Sequence, residues 1–84
     1  MSYDIFILRR AQKELSGLSS DTFKNMKKIL NSLKDEPRPH GCRKLTRREG
    51  WRIRTGDYRI IYDIDDDKKQ LTVLDIGHRK YIYR

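Results

Sequence analysis

The chain has 84 residues, with 20 Lys and Arg against 12 Asp and Glu and a formal net charge of +8. That length holds one domain, residues 1–84, with a thin core and little room for a buried cofactor pocket; no cofactor is expected. A single cysteine, Cys42, excludes an intrachain disulfide framework, no segment approaches the roughly 18 apolar residues of a membrane span, and the basic excess points to a polyanionic partner in the cytoplasm.

Tyr3 to Leu8 reads as a short strand. Ala11, Leu15 and Leu18 recur at helical spacing, which predicts a first helix from about Arg9 to Gly17. Gly17, Ser19 and Ser20 break it, and Ser19 or Ser20 caps a second helix with Asp21 in its first turn. Phe23, Met26, Ile29, Leu30 and Leu33 form the apolar stripe of that helix, which ends before Pro37 and Pro39. From Gly41 the period changes to that of strands. Arg43-Lys44-Leu45 is a brief one, and Trp51 to Thr55 and Tyr58 to Ile64 are stronger. Asp65 to Lys69 is a polar turn. Leu71 to Ile76 is apolar on both faces except at Asp75, as a central strand would be, and Gly77 is expected to close it. The order β-α-α-β-β-β-β predicts an α+β fold, with two N-terminal helices on one face of a four- to five-stranded, mainly antiparallel sheet.

The most informative stretch is Trp51 to Tyr62. With Gly56-Asp57 as a two-residue hairpin loop, Thr55 pairs with Tyr58, Arg54 with Arg59, Ile53 with Ile60 and Trp51 with Tyr62. Arg54 and Arg59 then sit directly opposite each other, and Arg52 lies one step along the same face. Like charges across a strand pair destabilise it, so an anion belongs there, and guanidinium groups on a stiff platform suit a phosphate. The tail His78-Arg79-Lys80-Tyr81-Ile82-Tyr83-Arg84 gathers an imidazole, cations and phenols, and it could converge on the hairpin. Gly41 to Gly50 is a basic loop and short strand. Its Lys44, Arg47 and Arg48, with Lys80 of the tail, are candidate contacts to an RNA backbone. No metal site is expected. Asp63, Asp65, Asp66 and Asp67 lack the glycine and terminal glutamate of a calcium loop and suit an acidic turn, while Cys42 has no zinc-ligand spacing around it.

Nearly the whole chain resembles the RelE/ParE superfamily of toxins from toxin–antitoxin pairs. The resemblance is carried by Lys44-Leu45, the run Trp51-Arg52-Ile53-Arg54-Thr55-Gly56-Asp57-Tyr58-Arg59-Ile60-Ile61-Tyr62, and Ile76-Gly77-His78-Arg79-Lys80 followed by Tyr81-Ile82-Tyr83-Arg84. It implies the RelE-like fold and, on the RelE branch, an endoribonuclease that cuts mRNA in the ribosomal A site. The implied partners are a RelB-like antitoxin, the ribosome and its mRNA, with operator DNA reached only through the antitoxin complex. The family's basic pair falls on Arg52 and Arg54, its next arginine on Arg59, the arginine after the terminal glycine on Arg79 and the C-terminal tyrosine on Tyr83. The alternative is a ParE-like, non-enzymatic inhibitor of DNA gyrase. A plain basic nucleic-acid-binding module is a third reading.

Metal-free RNA cleavage by the ribose 2′-OH needs a base, an acid and cations for the charged phosphorane. Arginine stays protonated throughout the pH range in which the chain is folded and cannot be the base. Imidazole titrates near neutrality, and a phenol among guanidinium groups loses its proton more readily than in water. His78 and Tyr83 are therefore the expected proton-transfer pair.

Overall fold

A five-stranded mixed sheet carries two helices on one face, and the computed structural model describes residues 2–78 of the chain. The elements run β1 (Asp4–Ile7), α1 (Arg9–Ser16), α2 (Ser20–Leu33), β2 (Arg43–Lys44), β3 (Trp51–Thr55), β4 (Tyr58–Asp65) and β5 (Gln70–His78). The strand order is β1-β5-β4-β3-β2. All neighbours are antiparallel except β1 and β5, which pair in parallel with Ile5 beside Leu71 and Ile7 beside Val73.

Local chemistry explains most boundaries. Gly17 ends α1, its N–H bonding back to the Glu14 carbonyl and the Leu18 N–H to the Leu15 carbonyl. The Ser19 hydroxyl accepts from the Thr22 backbone N–H and Asp21 lies in the first turn, so α2 starts with a side-chain cap and a favourable charge. Ala11 and Leu15 of α1 and Met26, Leu30 and Leu33 of α2 pack on Ile60, Tyr62, Leu71, Val73 and Ile76 of the sheet. Phe23, expected in the apolar stripe, is 36% exposed and lies under the Lys27 ammonium instead. The Gly56-Asp57 loop joins β3 to β4 with Gly56 at φ +58°, the first-position glycine of a type II′ hairpin.

Two corrections concern β5. Gly77 does not close the strand but pairs with Arg59, and His78 continues the ladder opposite Tyr58. A β-bulge also interrupts the β4–β5 register. Ile61 faces Asp75 while Tyr62 faces Val73, so Leu74 is the extra residue.

Gly50 is the glycine the sheet most depends on. Its φ is +127°, and a Cβ there would stand 3.1 Å from the Tyr62 carbonyl oxygen. Gly50→Ala is expected to cost about 1–3 kcal/mol in urea denaturation. Gly17→Ala, in right-handed backbone at φ −90° with its nearest neighbour atom at 3.7 Å, is the control expected to cost nothing. Equal midpoints for the two variants would contradict this.

The loop after α2 is tied to the β4–β5 turn by Asp66. Its carboxylate accepts from Arg38 Nη2 at 2.8 Å, from Arg38 Nη1 at 3.2 Å and from the Tyr3 hydroxyl at 2.6 Å. The Arg38 hydrogen bond, then that of Tyr3, holds the Asp66 carboxyl down to about 2. An aspartate in the unfolded chain titrates near ~3.9, so this contribution is whole above that pH and is lost as pH falls toward the folded value. Between about pH 4 and pH 2 the wild type should therefore lose more stability than Asp66→Asn, as read by denaturation at either end of that window.

Candidate functional site

Residues directly opposite each other in a sheet project to the same face. The side of the sheet away from the helices thus carries two adjacent rows. One runs Arg43, Arg52, Ile61, Asp75 across β2, β3, β4 and β5; the next runs Arg54, Arg59, Gly77 across β3, β4 and β5. The register read from the hairpin sequence is the register found, including Arg54 opposite Arg59. Arg43 opposite Arg52 adds a second like-charge pair that the sequence did not reveal, because its register depends on the length of the loop between β2 and β3. Gly77 brings no side chain into the row beside Arg59.

Arg59 is the unusual member. It is half-buried, and its Nε is shielded from solvent with no hydrogen-bond partner among the described residues. A buried donor left unmade costs about 1–3 kcal/mol, so placing Nε there works against the fold. Arg43, Arg52 and Arg54 line an open groove of about 680 Å³ beside it, formed with the segment from Cys42 to Thr46.

The other expected site residues are distributed as follows. Lys44 pairs with Trp51 and lies on the helix-bearing side, its ammonium 5.7 Å from the Trp51 ring centroid and Arg38 5.1 Å from the same ring. Arg47 is exposed in the β2–β3 loop. Arg48 reaches Asp75 at 3.5 Å. His78, opposite Tyr58, projects to the helix-bearing side, where the two rings meet edge to face at 5.6 Å. The expectation that His78 joins the arginines is thereby corrected: the bulge at Leu74 reverses the parity of the strand beyond it. Arg79, Lys80 and Tyr83 lie outside the described residues.

The acidic turn is occupied by its own bonds. Asp65 accepts from the Lys68 backbone N–H, Asp63 from that of Ile64, and Asp66 is engaged by Arg38 and Tyr3. Among the described residues no group of three or more His, Cys, Asp or Glu could hold a metal ion. Among the described residues no helix is long and apolar enough to cross a membrane.

Residues 5–83 match the model of a family described as the ParE toxin of the type II toxin–antitoxin system parDE. The chain belongs to the RelE/ParE superfamily of toxins. A relative from Methanocaldococcus jannaschii that carries the name RelE1 is 26% identical over 88 residues, covering 100% of this chain and 98% of its own. The structure of the archaeal RelE–RelB complex from Pyrococcus horikoshii OT3 superposes with a TM-score of 0.85 at 26% identity, over 96% of this chain and 99% of that one. The intact RelBE complex of E. coli superposes with a TM-score of 0.76 at 28% identity, over 92% of this chain and 96% of the other. The match to the ParE toxin model spans every residue of the two arginine rows and extends through Arg79 and Tyr83.

Proposed function

We propose that this toxin is a ribosome-dependent endoribonuclease that cuts mRNA in the ribosomal A site and is neutralised by a RelB-like antitoxin. The observation that carries the reading is the arginine face, where like charges stand opposite each other around an Arg59 Nε that is shielded from solvent and has no hydrogen-bond partner among the described residues. That arrangement suits a bound phosphodiester. The likeness to proteins named RelE supports the same branch.

The chemistry assigned to the face follows from its residues. The ribose 2′-OH attacks the adjacent phosphorus, the 5′-oxygen leaves, and a 2′,3′-cyclic phosphate results. Arg52, Arg54 and Arg59, with Arg79 carried over from the family, clamp the phosphate and stabilise the charge that builds on its oxygens. Arginine keeps its proton, and His78 faces the helices, so of the two proton transfers, taking the 2′-OH proton and protonating the 5′-oxygen, Tyr83, again carried over from the family, carries one and water carries the other. DNA, which lacks the nucleophile, is not cut. Orientation by the ribosome supplies a further several kcal/mol to a site with a weak base.

Toeprinting of a translated message with purified protein tests the proposal, with a known A-site nuclease as positive control. A cut in the control and none with this toxin would sink it. The second reading, a gyrase inhibitor, is favoured by one observation, the parDE description of the matching family. A supercoiling assay separates the two, since gyrase is blocked only under the second.

A further inference from the structure

The β2–β3 loop begins and ends on the far side of the sheet from β5, closed by the Leu45 N–H bonding to the Gly50 carbonyl. Yet Arg48, from its middle, places Nη2 3.5 Å from Asp75 Oδ2 on β5. Two strands, β3 and β4, lie between, and adjacent strands are about 4.8 Å apart, so the loop and its arginine must fold over the outer face. A second observation agrees. Ile61, between Arg52 and Asp75 in its row, is 1% exposed, although it stands outside the core cluster packed beneath the helices. Something on the outer face covers it, and Arg48 crosses there.

Asp75 is the acid at the end of that row. Arg10 of α1 reaches it around the strand edge that β1 leaves open after Ile7. Its Nε lies 3.1 Å from Asp75 Oδ1 and 2.9 Å from the Leu74 carbonyl. The carboxylate is thus held from one side and offers its other oxygen to Arg48.

We propose that Asp75 is a positioning residue that fastens the Arg48 guanidinium across the outer face, where it adds an RNA-backbone contact to the rim of the Arg52–Arg54–Arg59 site. This rests on the nucleic-acid reading of the arginine face. The bulge at Leu74 serves the same end, since it turns Asp75 toward the arginines.

The test turns on a sign. Deleting an acid from a basic patch strengthens anion binding by charge alone. If Asp75 acts through Arg48, deleting it weakens binding. The probe is a fluorescent, fully 2′-O-methylated single-stranded oligonucleotide, which cannot be cleaved, followed by anisotropy with the full-length toxin. Asp75→Asn is expected to weaken affinity about three- to tenfold, Arg48→Ala by a similar factor, and the double variant no more than Arg48→Ala alone. Asp75→Glu, which keeps both acceptor oxygens, should recover most of the loss. Binding by Asp75→Asn that equals or exceeds wild type overturns the positioning role while leaving the arginine face intact. A wild type that does not bind, or an Arg59→Ala protein that binds as well, overturns the reading of the face and this proposal with it. Should Asp75→Asn fail to fold by circular dichroism, Arg48→Gln carries the test, and wild-type affinity in that variant is the contrary result.

Discussion

Replacing Arg59 with methionine is expected to lower A-site cleavage by about 10²–10³-fold, the effect of removing one pre-oriented donor from a developing oxyanion. The same substitution is expected to make the fold more stable. Methionine keeps the length of the apolar stem, removes the buried Nε that has no partner among the described residues, and relieves the charge opposed to Arg54. The gain is about 1 kcal/mol, the usual cost of a buried donor left unmade, less some packing lost at the head group. Urea denaturation and toeprinting on the same preparation read the two effects. Activity and stability moving in opposite directions is the signature of a side chain retained for its ligand. A variant that cuts like wild type, or that unfolds more easily, would show that the guanidinium serves the fold.

The second large effect is expected at the end of the chain. Tyr83→Phe should reduce single-turnover cleavage by about 10²–10⁴-fold, the range for loss of a proton-transfer group, with little change in ribosome binding. His78→Gln should leave the rate within about threefold and the shape of the pH–rate profile unchanged, because its side chain lies on the helix-bearing face and the proposed cleavage is assigned to the opposite, arginine face. It touches Tyr58 there, so its loss is expected to register in stability rather than in rate. The opposite pattern, a phenylalanine variant that cuts normally and a glutamine variant that does not, would reassign the chemistry to the imidazole.

The two effects differ in how far the sequence anticipates them. Arg59 was legible because a two-residue loop leaves one register available: once Gly56-Asp57 is the turn, Arg54 must face Arg59. Helix limits were legible for a similar reason, since Gly17 and the Ser19 cap act within a turn of themselves. Arg43 was not legible, because nothing local says how far β2 slides along β3. The parallel pairing of β1 with β5 was not legible either, as those strands are joined through the rest of the domain.

The decisive difference is a single residue. Strict alternation from Leu71 and Val73 would send Asp75 and Gly77 toward the helices and His78 toward the arginines. Leu74 is extra in the ladder, and one extra residue in a period of two exchanges the faces of everything after it. The order of residues therefore determined the local units: helices, caps, the hairpin and its opposed cations. Which face receives Asp75 and which receives His78 was settled only when β5 closed against β4. Packing Ile76 against the helices set the parity there, and no short stretch of sequence carries that long-range demand.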